Sequence, residues 1–235
     1  MKYDAIFEGN NRFLWMLLAF QGGLVNVGAF LSVHTFISHL SGIPGLVSYE
    51  LWNGDVLQLS KFLLVPVCFF FGAFLTSIPT EVKRFKGKTP IYIHILSLIG
   101  VVYFFLAFAG HIGLVGRFGE PFSHNRDFIV LCTLGFVCGS QNALFSNYSQ
   151  SVLRTTHITG LVTDLGIGIS KFLFTKSLEE TYLNKIRLEL IISFFLGSII
   201  GYPLFNSLGF LGFLIPALIS FSVGVRLFLS RLKNH

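Results

Sequence analysis

Six apolar stretches, Leu14–Val33, Val56–Ile78, Ile91–Gly113, Phe128–Tyr148, Leu188–Phe205 and Leu208–Val225, leave this chain few folds to choose from. Each is long enough to cross roughly 30 Å of hydrocarbon as an α-helix. No water is available there to bond the backbone, so a crossing segment must be helical or part of a closed barrel. Continuous apolar runs of this length lack the alternation that a barrel strand needs. Hydrophobic residues make up 53% of the chain and charged ones only 12%, where soluble domains carry about a quarter charged residues. The expectation is an all-α polytopic membrane bundle that fills residues 1–235 as one unit. No appended soluble domain is predicted, because the longest polar connection, Thr175 to Arg187, suits only a short surface helix.

The formal charge of +6 reads as topology rather than as a nucleic-acid footprint. Of the 17 Lys and Arg residues, two precede the first span, four lie in Lys83–Lys88, five between Arg154 and Arg187, and three at Arg226–Lys233. Six crossings put all of these on one face. The other face receives Arg117 and Arg126, while Lys61 falls just inside the second span. By the positive-inside rule both termini are cytoplasmic and the chain is a multi-pass protein of the inner membrane. No aromatic and basic residues interleave on a soluble surface, which argues against nucleic acid. Met1–Phe13 carries Asp4 and Glu8, and no small-residue cleavage site follows the first span, so this end reads as a retained signal anchor. Cys68, Cys132 and Cys138 all fall in spans without a Cys-x-x-Cys spacing and read as packing residues.

A phrase occurs twice, Ser38-His39-Leu40-Ser41-Gly42 and Thr156-His157-Ile158-Thr159-Gly160, each after a span that carries an amide, Asn26 and then Asn142. Gly72 of the second span, with Pro79 closing it, is matched by Gly197 of the fifth, with Pro203 closing that one. The chain is thus expected to be a duplication, with repeat one over about 14–113 and repeat two over about 128–229. Three crossings per repeat is an odd number, so the second repeat is upside down, a 3+3 inverted repeat of the kind found in secondary transporters. Small residues at Gly72, Thr76, Gly197 and Gly201 would let neighbouring helices approach closely.

Thr35–Leu51 and Val152–Phe174 are too apolar for ordinary loops and too interrupted for confident crossings. They are predicted to be broken or re-entrant segments, tolerated only where they are buried in protein or line a wet cavity. On a helix through the second, Arg154, His157 and Asp164 share one face. In the first, His39 and Glu50 would do so if a helix survived Pro44. An imidazole near a carboxylate can hold or pass a proton near neutral pH. His94, His111 and His124 have no repeat partner and read as interfacial filler, and the 28 Phe read as lipid-facing and packing residues.

The run Cys138-Gly139-Ser140-Gln141-Asn142-Ala143, followed by Arg154-Thr155-Thr156-His157-Ile158-Thr159-Gly160-Leu161-Val162-Thr163-Asp164-Leu165-Gly166, resembles the YoaK-like family of bacterial multi-pass membrane proteins, a family of unknown function. The resemblance extends over nearly the whole chain and is weaker in the first half. Asn26 stands where the family shows Asp in the first span, and Ile43 where it shows Asn after the first phrase. The resemblance therefore implies that proton-linked chemistry belongs to the second half.

Polar groups at membrane depth cost a few kcal/mol each and are functional suspects by default. The expected substrate-binding set is Asn26, His39, Ser41, Gly42, Gln141, Asn142, Arg154, His157, Thr159, Gly160 and Asp164. Each has a structural alternative: the histidines can bond backbone freed by broken helices, Arg154 and Asp164 can form an interfacial anchor pair, and the amides can be interhelical glue worth about 1 kcal/mol. The expected function is a small-molecule secondary transporter or channel with a site where the repeats meet, coupled to protons through His157 and Asp164. An intramembrane enzyme using His39, His157 and Asp164 is the alternative from another class, although no nucleophile, metal or phosphate-loop motif supports it. A non-transporting sensor or assembly protein is a third. The expected partners are membrane lipids, a small-molecule or ion substrate and, in a homo-oligomer, further copies of the chain. No cofactor or metal is expected, since no His-x-x-x-His or clustered carboxylate spacing occurs.

Overall fold

The computed structural model describes residues 10–87, 92–148 and 158–233, with side chains described for 12–87, 92–147 and 158–230. Among these residues every regular element is helical: α1 (Asn10–Val33), a 3-10 turn (Leu40–Gly42), α2 (Ile43–Asn53), α3 (Val56–Phe85), α4 (Ile93–His111), α5 (Asp127–Tyr148), α6 (Ile158–Thr175), α7 (Leu178–Leu208), a second 3-10 turn (Gly209–Phe213) and α8 (Leu214–Lys233). Six helical stretches are long and apolar enough to cross a membrane. One of them runs over 53 residues, Leu178–Ser230, or about 80 Å at 1.5 Å per residue, far more than one crossing needs. Gly209, at φ +55, ends α7 and divides that stretch into the two expected spans.

Local chemistry fixes where the helices begin. The Asp55 side chain accepts from the Gln58 N–H at 3.0 Å and caps α3, while Lys83 and Arg84 complement the dipole in its last turn. Ser177 accepts from the Glu180 N–H at 3.4 Å, with Glu179 and Glu180 in the first turn of α7. That cap corrects one expectation. Leu178–Arg187 is no separate surface helix but the start of α7, which runs on unbroken into the apolar span. Glu180, Asn184 and Arg187 keep this extension polar, and Glu180 pairs with Lys171 of α6 at 3.4 Å.

Two close crossings hold the bundle together. α1 and α7 form one of the two most extensive helix contacts, and α3 and α5 form the other. In the first, a Cβ at Gly23 would overlap the Phe194 carbonyl and one at Gly197 the Phe20 carbonyl. In the second, a Cβ at Gly72 would overlap the Phe136 carbonyl and one at Gly139 the Phe69 carbonyl. Backbones this close exclude any side chain at the four positions, which is the mechanism by which small residues bring membrane helices together. Ser198 donates to the Gly23 carbonyl at 3.3 Å and Ser140 to the Gly72 carbonyl at 3.2 Å, so each crossing also has a hydroxyl clasp.

The order of partners gives the helix directions. Along α1 and α7 they rise together, from Arg12 and Glu189 through Phe20 and Gly197 to Gly28 and Phe205, so this pair is parallel. α3 and α5 are parallel by the same criterion, from Val65 and Gly135 to Ser77 and Asn147. α1 and α5 are antiparallel: Trp15 packs on Phe145, with ring centroids 5.3 Å apart, while Gln21 meets Gln141. α4 and α8 are also antiparallel, with Leu96 against Gly224 and Gly100 against Phe221. Hence α3 reverses α1 and α7 reverses α5. The segment between α1 and α3, the 3-10 turn with α2, makes no net crossing, and α6 lies between the antiparallel α5 and α7, with a length and hydropathy that would permit a crossing. α1 and α5 lie deepest, and the core is built on residues such as Leu18, Leu24, Leu131 and Leu134.

Candidate functional site

The α1–α2 connection turns back along α1. His34 leaves the helix in the left-handed region, φ +52, and its Nε2 lies 3.3 Å from the Gly119 carbonyl. The chain then returns, so that Ile37 is fully buried and the Ser38 hydroxyl donates to Oδ1 of Asn26 at 2.9 Å, two turns inside α1. Pro44 sits in the first turn of α2, where its missing N–H costs nothing. α2 therefore starts after His39 instead of running through it, and the expected shared face of His39 and Glu50 does not exist. α2 ends at Gly54, φ +73, whose N–H returns to the Glu50 carbonyl at 3.0 Å.

This fold-back walls a cavity of about 660 Å³, bounded by the end of α1, the Thr35–Leu40 connection, the start of α2, Phe62 of α3 and the first described turn of α6. Ser38, His39, Leu40, Ser41 and Gly42 of the first phrase line it, as do Ile158 and Thr159 of the second. Two sequence copies more than a hundred residues apart thus face one space. A Cβ at Gly42 would meet nothing within 4 Å, so neither packing nor φ (−82) requires glycine there, and its absent side chain leaves cavity volume free. His39 packs on Phe36, centroids 5.6 Å apart, and its side chain is exposed at the cavity it lines.

The structure divides the expected set. His39, Ser41, Gly42 and Thr159 line the cavity, and Asn26 braces its wall through Ser38. Gln141 lies in the bundle core, where its Nε2 donates to the Leu18 carbonyl at 3.3 Å. Asn142 is buried on α5, and its Nδ2 has no partner among the described residues. Gly160 is half-buried and Asp164 exposed on α6, and neither lines the cavity. Arg154 and His157 lie outside the described residues.

Other polar groups carry no repeat signature and escaped the sequence reading. Gln21 is fully buried, donates to Ser220 at 2.9 Å and approaches Gln141 Oε1 at 3.4 Å, joining α8, α1 and α5. Arg12, read from sequence as a topology charge, makes a two-pronged ion pair with Glu189, with Nε 2.6 Å from Oε2. Lys61 is 3% exposed, its Nζ 4.7 Å from the Phe122 ring centroid and 5.4 Å from that of Phe62. Thr35, which shares the cavity wall, is 5% exposed, and its hydroxyl has no partner among the described residues. An isolated amide in an apolar span was the available signal for Gln21; nothing in the sequence singled out Thr35.

No curated protein and no solved structure matches the chain. A family model does, over residues 14–225, and the chain belongs to that family, described as protein of unknown function (DUF1275). The match bears out the resemblance drawn from the Gln141-Asn142 block and supplies no activity.

Proposed function

Starting from membership of this uncharacterised family of helical membrane proteins, we propose that the chain is a small secondary transporter or channel of the bacterial inner membrane. Its substrate sits between two inverted repeats, residues 14–113 and 128–229, and both termini face the cytoplasm. The observation that carries the reading is the cavity whose wall takes Ser38–Gly42 from one repeat and Ile158–Thr159 from the other. Inverted repeats bring equivalent irregular segments from opposite faces to one central site.

The helix contacts support the same relation. Exchanging α1 with α5 and α3 with α7 turns the Gly23 contact on the Phe194 carbonyl into the Gly139 contact on the Phe69 carbonyl, and the Gly197 contact on Phe20 into the Gly72 contact on Phe136. α1 is antiparallel to its equivalent α5, and α4 to its equivalent α8, as inversion requires.

Alternating access then follows from unequal packing. The crossings of α1 with α7 and α3 with α5 are tight backbone contacts, whereas α2 packs chiefly on α3 and α6 chiefly on α7. The half-helices are the parts free to shift around a bound solute. Proton coupling, if present, belongs to His157 and Asp164 in the second repeat, since the first has Asn26 in place of the family's acid.

Uptake by purified protein in liposomes tests the reading, with a panel of small metabolites and ions presented with and without a pH gradient. Accumulation above protein-free vesicles, abolished by filling the cavity with Gly42→Trp, is the expected result. Well-folded protein that moves no member of the panel, or a Gly42→Trp variant that moves solute as fast as the parent, defeats the transporter reading.

A further inference from the structure

We propose that the cavity takes a small uncharged aromatic molecule with a hydrogen-bonding substituent, stacked on Phe30 and Phe36 and bonded by Ser41 and Thr159. This rests on the cavity being the substrate site and names the class of substrate.

The aromatic side of the wall is a row of three rings. Phe30, near the end of α1, stacks on Phe36 of the connection, with centroids 4.5 Å apart and planes 11° apart. His39 continues the row, 5.6 Å from Phe36 and tilted by 32°. All three line the cavity. Phe30 remains 39% exposed and Phe36 42% although each covers part of the other, so both have ring surface left for a further group. A planar π-system gains from such a row beyond the area it buries, because ring faces are negative and ring edges positive. A saturated chain gains the area alone.

The polar side is made of accessible hydroxyls. Ser41 and Thr159, one from each repeated phrase, are exposed and line the same cavity. Among the described residues neither hydroxyl has a protein partner. By contrast, the Ser38 hydroxyl is taken by Asn26, and the His34 imidazole faces the Gly119 carbonyl.

Charge selects against ions. Among the described residues the wall holds no Asp, Glu, Lys or Arg. An ion entering it would give up hydration without meeting an opposite charge, which costs far more than burying a neutral hydroxyl or ring N–H that finds a partner. The cavity volume of about 660 Å³ also lies within the range of small-molecule sites, about 300–1,000 Å³.

The test equilibrates radiolabelled indole by dialysis with the full chain in phosphatidylcholine nanodiscs, and empty discs of the same lipid give the partitioning background. Phenol, benzoate and cyclohexanol compete as unlabelled probes. We expect saturable indole binding at about one molecule per chain, displaced by phenol, with benzoate and cyclohexanol about tenfold weaker or worse. Phe36→Leu keeps an apolar side chain but removes the ring, and should weaken indole about tenfold. Ser41→Ala should weaken it about fivefold, for one hydrogen bond between neutral groups. Ser41 is exposed, so its variant reports on the site even if Phe36→Leu fails to fold.

No saturable indole binding, or equal affinities for the parent and either folded variant, overturns the assignment. So does cyclohexanol that competes as well as phenol, which would make the cavity simply apolar, or benzoate that binds more tightly than indole. Indole that binds in detergent micelles but not in lipid discs would mean that acyl chains fill the cavity, and this too overturns it. The transport reading would survive such a result wherever another solute is still taken up, and would fall, with the aromatic site intact, if indole binds but nothing moves.

Discussion

Gly139→Ala should be among the most damaging single-methyl changes in this protein. The added methyl would overlap the Phe69 carbonyl oxygen, a backbone atom that no rotamer change can move. Restoring an ordinary contact of about 3.5 Å requires α3 and α5 to part by about 1.5 Å along their crossing. Overpacking of this kind costs about 1–3 kcal/mol. Parting the helices also stretches the clasp from Ser140 to the Gly72 carbonyl, now 3.2 Å, and a lost hydrogen bond in a bundle costs about 0.6 kcal/mol. The gain in helix propensity of Ala over Gly, about 0.5–1 kcal/mol, offsets part of this. The net expectation is about 2 kcal/mol of destabilisation. Gly166→Ala is the control, because nothing lies within 4 Å of a Cβ there, and propensity alone should stabilise by about 0.5 kcal/mol or more. Equilibrium unfolding in mixed micelles measures both. Combining Gly139→Ala with Gly72→Ala should cost less than the sum, since the first change has already opened the crossing that the second would strain. Combining it with Gly197→Ala, at the other crossing, should be close to additive. A Gly139→Ala variant within about 0.5 kcal/mol of the parent, or indistinguishable from Gly166→Ala, would refute the close backbone crossing.

Reversing the Arg12–Glu189 pair offers a second check. Arg12→Glu should destabilise by about 1 kcal/mol for a partly exposed pair, and adding Glu189→Arg should restore most of the loss; a double variant no better than the single one removes the pair from the account. Gln21→Leu should cost about 1 kcal/mol in the same unfolding assay by breaking the Ser220 bond, and Gln21→Leu with Ser220→Ala little more, so additive losses would mean that the two do not interact. For topology, a cysteine at Gly119 should react with an impermeant thiol reagent in intact cells, while one at Lys86 should react only after lysis; the reverse pattern inverts the orientation. Because Asn26 stands where the family shows an acid in the first half, His39→Gln should leave the pH dependence of activity close to the parent's, while His157→Gln should flatten it; a larger effect at His39 would move the proton site to the first repeat.

The membrane class, the long apolar helices and the interruption after the first span were legible because each is a local property, whereas the second segment, expected to be broken, is one unbroken helix from Ile158 to Thr175 among the described residues. Apolar length reports a span directly, and Gly42, Pro44 and Gly45 mark an interruption whatever surrounds them. The repeated phrase also told where to look, and Ser41, Gly42 and Thr159 do share a cavity. Boundaries were harder to read. The Ser177 cap extends α7 well ahead of its apolar span, and Pro44 begins a helix where it was expected to interrupt one. The split among the amides was not legible at all. Asn26 braces the cavity wall through Ser38, while Gln141 on a similar span turns into the core to meet Leu18 and Gln21.

What the sequence determined by itself is everything that depends on transfer from water to lipid, a sum over residues in a window that needs no knowledge of neighbours. Only the tertiary structure decided which of the polar residues that survive that transfer face one another, because a side chain's direction depends on helix rotation and crossing. Here those are set by where Gly23, Gly72, Gly139 and Gly197 let two backbones touch. Thr35 shows the difference most plainly. In sequence it is one hydroxyl after a span, and only the fold-back of its own connection buries it in the wall of the cavity, without a partner among the described residues.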